Sequence, residues 1–176
     1  MSLRITIKRC LPIESFTLES TLNIDEVKRR LAEDIEPYKF FRFYSTNSTK
    51  PYQGEMQGNT FRISRIISYR NSFLPFITGN ITNDSGQTFI KIRMRMIIPV
   101  IIFMSVWLGA VGLVCLILLF GVLFRIKEVT FNGFSLGTFV PFMMFAFGWL
   151  LMLLPFKAES KKSKQFLCVL LDGKET

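Results

Sequence analysis

Hydrophobic and polar residues alternate along this chain in more than one period. Residues 96–124 form a run of 29 without a charged side chain, and residues 131–156 form a second of 26. About twenty apolar residues cross a bilayer as a helix. Both runs exceed that length, and the short polar stretch between them predicts a transmembrane hairpin. The expected boundaries are 97–124 for the first transmembrane helix, 125–133 for an external loop and 134–156 for the second helix.

Before the first run the periods are those of a small α+β domain, residues 1–96. Leu3, Ile5 and Ile7 alternate with Arg4, Thr6 and Lys8, as in a half-buried strand, and residues 16–20 suit another short one. The period then lengthens. Ile24, Val27, Leu31 and Ile35 fall on one side of a helix, with Asn23 and Glu26 in capping-box positions and Pro37 at its end. Lys28, Arg29 and Arg30 lie on or beside its solvated face. After a polar stretch at 45–51 an antiparallel meander is expected: 52–57 with 60–69 across Gly58-Asn59, then 76–82 with 87–96 across residues 83–86. Pro75 belongs at a strand start or an edge, since it cannot donate a ladder hydrogen bond.

After the second run, Phe166, Leu167, Leu170 and Leu171 share one helical face. Residues 157–176 are therefore read as a cytoplasmic tail with a short C-terminal helix packing back on the sheet. Strand, helix, antiparallel meander and last helix, in that order, resemble the helix-grip layout of small-ligand-binding domains, with a membrane hairpin inserted before the last helix. The segment Tyr-Arg-Asn-Ser-Phe-Leu-Pro-Phe-Ile-Thr-Gly at 69–79, followed by a strand and a span, resembles small uncharacterised bacterial two-span membrane proteins over roughly 52–164. That resemblance implies no activity and no functional residues. A looser likeness, in architecture only, is to two-span antiphage effectors whose soluble β domain senses a nucleotide. Their spans usually precede the domain; here they follow it.

Charge orients this arrangement. Residues 1–96 hold 15 of the 22 basic and 9 of the 13 acidic residues, a net +6, and the remainder carries +3. With two spans attached, anionic lipid explains the excess more simply than nucleic acid. Lys91, Arg93 and Arg95 flank the first span; Lys157, Lys161, Lys162 and Lys164 flank the second; the loop offers only Arg125 and Lys127. Basic flanks stay on the cytoplasmic side, so both termini are expected in the cytoplasm of a multi-pass inner (plasma) membrane protein. The first residues lack an apolar core of signal-peptide length, and export by a cleaved signal is not expected. Cys10, Cys115 and Cys168 show no metal-site or redox spacing. Asn47, Asn80 and Asn83 match Asn-x-Ser/Thr at a frequency expected by chance in a chain rich in these residues.

Candidate chemistry is sparse. The chain has no His, no Gly-rich phosphate loop and no nucleophile elbow, so no catalytic residue, metal or cofactor is expected. In the strand at 87–96, Ile90, Ile92, Met94 and Met96 point one way. Lys91, Arg93 and Arg95 point the other, forming a basic ladder for lipid headgroups, with Arg62, Arg65 and Arg70 as candidate neighbours. In the spans Ser105, Gly109 and Gly112, with Ala146 and Gly148, are expected to pack helices, in the hairpin or in a homo-oligomer. Trp107 and Trp149 are expected at a similar depth. Pro141 either starts the second helix or kinks it. Neither run contains an internal charge, which argues against ion-coupled transport. The leading expectation is a non-enzymatic, membrane-anchored cytoplasmic module binding a ligand, lipid or partner. The alternatives are a sensor-effector that oligomerises and perturbs the bilayer, and a structural subunit of a membrane complex.

Overall fold

The computed structural model describes residues 11–37, 50–67, 69, 71–84, 86–124 and 136–176. The chain divides into two units: Met1–Ile97 together with Pro155–Thr176, and Ile98–Leu154. The strand expected at residues 3–8, most of the polar stretch at 45–51 and the loop at 125–133 lie outside the described residues.

The first unit is a mixed α+β domain around a mostly antiparallel seven-stranded sheet. In chain order it contains β1 (Ile13–Ser20), α1 (Ile24–Asp34), β2 (Ile35–Pro37), β3 (Tyr52–Gln57), β4 (Thr60–Arg65), β5 (Phe76–Asp84) and β6 (Gln87–Arg95). The end of a long helix, α3 (Leu136–Leu170), and β7 (Gly173–Glu175) complete it. The strand order is β2-β3-β4-β5-β6-β1-β7, and among the described residues only the β2–β3 pair is parallel. Both edge strands are three residues long, which limits the open ladder available to another chain.

One face of the sheet is the core. Leu18, Phe61, Ile63, Ile77, Ile81, Ile90, Ile92 and Met94 are buried on it. Val27 and Leu31 of α1 and Phe156 and Leu167 of α3 are buried as well, and the Phe166 ring lies 4.7 Å from that of Tyr52. Gly79 permits this packing: a Cβ there would stand 2.0 Å from the Phe61 ring. Ser20 Oγ donates to the Leu171 carbonyl at 2.5 Å and Arg30 donates to that of Leu170 at 3.2 Å, tying the end of α3 to β1 and α1.

Several expected boundaries shift for physical reasons. Asn23 caps α1 by accepting from the Glu26 amide at 2.8 Å. The Glu26 carboxylate is held by Arg29 and then by Arg30, which lower its pKa to about 2. The helix stops at Asp34, and Ile35, read as its last apolar position, opens β2. Pro37 biases the preceding residue toward extended backbone, and Lys50 Nζ donates to the carbonyls of Ala32 and Ile35. Gly58 alone supplies a positive φ, +60°, in the β3–β4 turn, as a II′ turn requires. The β4 strand ends at Arg65, not 69. Continued pairing of Asn83 with Thr88 and Asp84 with Gln87 shortens the β5–β6 connection from four residues to two. Pro75 immediately precedes β5.

The second unit contains α2 (Ile98–Leu123) and the first part of α3. Ile98–Leu123 and Gly137–Leu170 are long and apolar enough to cross a membrane. The expected break between a second span ending at 156 and a short, separate C-terminal helix does not occur, because α3 runs through Pro141 and Pro155 to Leu170. Pro141 does not start it either; the helix begins at Leu136 and Pro141 falls in its second turn. Beyond Phe156 the side chains turn polar, but Lys, Ala, Glu, Gln and Leu are good helix formers and no glycine intervenes before Gly173.

Candidate functional site

Strand β6 alternates as its sequence dictates. Ile90, Ile92, Met94 and Met96 are buried, while Lys91, Arg93 and Arg95 are exposed on the open face. Among the described residues none of the three has a carboxylate within ion-pair distance. Arg95 ends β6 three residues before Ile98 starts α2, a contour of about 10 Å.

Register extends this charge across the sheet. Arg62 of β4 pairs with Thr78 of β5, and Thr78 pairs with Arg93 of β6. Arg62 therefore stands on the open face, two strands from Arg93, with Glu55 Oε1 3.8 Å from its guanidinium. Asn80 lies between Thr60 and Lys91 in the next row. Arg65 belongs to the opposite face, and Arg70 lies outside the described residues.

Arg65 takes part in a cluster that sequence reasoning missed. Glu159 of α3, its side chain 3% exposed, accepts from Arg65 at 2.7 Å, Tyr69 Oη at 2.6 Å and Lys162 at 2.8 Å. Burial raises its pKa, but the bonds from Lys162, Tyr69 and Arg65 win and hold the carboxyl below its ordinary value. The carboxylate in turn raises the Tyr69 phenol and the Lys162 ammonium. Lys157 bonds Glu14 at 2.8 Å, and Lys164 bonds Glu175 at 2.5 Å. Three of the four lysines read as flanking charges are thus also fastened to acids within the domain. The available signal was one Glu among four Lys at 157–164, on the helical face of Phe156 and Ser163.

In the second unit the small residues divide. Gly148 is buried under Trp107, whose ring a Cβ at that position would approach to 2.1 Å, and a Cβ on Gly112 would meet the Phe145 ring at 3.3 Å. Ser105, Gly109 and Ala146 are exposed, and a Cβ on Gly109 meets nothing within 4 Å. The residues of α2 buried instead are Met104, Leu108, Cys115 and Gly121. Trp149 stacks near Phe145, at 6.4 Å between ring centroids.

No protein-family model matches the chain, and comparisons with curated proteins and with solved structures give no match.

Proposed function

We propose that this chain is a non-enzymatic binding module of the plasma membrane. In this reading α2 and the apolar part of α3 form a transmembrane hairpin, both outer flanks are cytoplasmic, and the basic face of the sheet contacts anionic lipid headgroups. The observation that carries it is the exposed row Lys91, Arg93 and Arg95, without an ion-pair partner among the described residues, on the strand that leads directly into the first span. Each basic residue near an anionic leaflet contributes about 1 kcal/mol. A domain already tethered at that surface loses little further freedom on docking.

The full chain in nanodiscs tests this. A fluorophore at Ser15→Cys, opposite Arg93 on β1, is expected to be quenched by a headgroup-borne quencher more strongly in phosphatidylcholine–phosphatidylglycerol discs than in phosphatidylcholine alone. Replacing Lys91, Arg93 and Arg95 by Gln is expected to remove up to about 3 kcal/mol of docking free energy at low salt, and added salt to mimic that loss. Unchanged quenching in a folded triple variant would leave these residues only their role in orienting the spans.

A second reading, a sensor-effector, is supported by the continuity of α3, one helix that supplies both a candidate span and part of the sheet's cover.

A further inference from the structure

We infer that the open face is built for a phosphate bearing a small polyol, of the kind found in a phosphatidylglycerol headgroup or a free glycerol phosphate. This deepens the headgroup reading above and rests on it.

The phosphate half follows from register. Neighbouring strands are about 4.8 Å apart, so the Arg62 and Arg93 backbones stand about 10 Å apart across Thr78. Long guanidinium side chains rooted at that separation can close on one phosphate from opposite sides, each offering a paired donor fork. Lys91 adds a point charge from the next row. Thr78 and Asn80 keep the floor between these cations polar, and the Thr78 hydroxyl already donates to the Arg93 carbonyl at 3.2 Å.

The polyol half follows from what adjoins Arg62. Glu55, Gln57, Thr60 and Arg62 line a pocket of about 140 Å³. It opens to solvent and has room for several waters, enough to seat a three-carbon polyol. Its walls can both accept from hydroxyls, through Glu55 and Gln57, and donate to them, through Gln57 and Thr60. An ammonium group seated in this pocket would be drawn to Glu55 but repelled by the cations of the same face, Arg62, Lys91, Arg93 and Arg95. A second phosphate would meet Glu55 itself.

The test uses the full chain in phosphatidylcholine nanodiscs. One arm measures retention of phosphatidylglycerol, phosphatidate and phosphatidylethanolamine by native mass spectrometry. The other titrates glycerol 3-phosphate and inorganic phosphate by calorimetry. Phosphatidylglycerol is expected to be retained about fivefold over phosphatidate, as for one net hydrogen-bonding group. Arg62→Gln is expected to lower its retention about fivefold. The pair Glu55→Gln with Thr60→Val is expected to level the two lipids while phosphate binding persists. Tighter binding of glycerol 3-phosphate than of inorganic phosphate, lost in the same variants, would assign the site to the soluble source. Equal retention of all three lipids together with an inert Arg62→Gln would overturn the inference. The headgroup reading would survive that result if the Lys91, Arg93 and Arg95 variant still lost quenching.

Discussion

Replacing Glu159 by Ala is expected to lower the unfolding free energy of the full chain in micelles by about 3 kcal/mol, the scale for breaking a buried charge network on one side. The carboxylate is nearly inaccessible and has three donors, one of which, Arg65, would be left partly buried without an acid. Glu159→Gln keeps the shape and removes the charge, which allows a pH test. The folded carboxyl titrates below its ordinary value of 4.5, so its stabilising contribution is complete above that value and disappears as pH falls through the folded pKa. The stability difference between the native chain and Glu159→Gln should therefore shrink on acidification below about 4.5. A gap unchanged down to pH 3 would mean that the charge does not hold α3 to β4. Lys161→Gln, at an exposed position on the same helix, serves as the control.

The second large effect concerns the spans. Gly148→Leu is expected to cost roughly 1–3 kcal/mol of helix packing, because the Trp107 ring occupies the space the new side chain needs. Gly109→Leu, at an open position, is expected to leave the packing of α2 against α3 intact. Cysteine cross-linking between the two helices, together with unfolding in micelles, reads both outcomes. If Gly109→Leu separates the helices and Gly148→Leu does not, the second unit has been assigned the wrong contact face. If Gly109→Leu changes only association between copies, its small face meets a second chain.

The residues explain why some of this was legible in the sequence and some was not. Strand β6 and the Asn23 cap were legible because their signals are local: a period of two in the first case and a four-residue cap in the second. The cationic ladder followed from the same alternation. The pairing of β1 with β6, the parallel addition of β2 and the return of β7 onto β1 join residues far apart in sequence, and nothing in periodicity encodes such partners. Arg62 and Arg65 looked equivalent as nearby arginines, yet three positions along a strand reverse the face, sending one to the open side and the other to Glu159. In the spans, spacing gathered Ser105, Gly109 and Gly112 on a common side but could not say which side meets the second helix. The bulky Trp107, which needs a glycine beneath it, made that choice. The change to polar side chains after Phe156 carries no signal of continuity, yet the helix runs on to Leu170 because those residues are themselves good helix formers.

The orientation of the spans underlies the proposed function, and cysteine accessibility in intact cells tests it most directly. Cys168 is a poor reporter: it is half-buried, and burial raises its thiol pKa. Asn83, exposed near the β5–β6 turn, and Asn132, in the sequence between the two spans, are better positions. With an impermeant maleimide, Asn132→Cys is expected to label in intact cells, and Asn83→Cys only after the membrane is permeabilised. Labelling of Asn83→Cys in cells of verified integrity would place the sheet outside the cell and contradict the account.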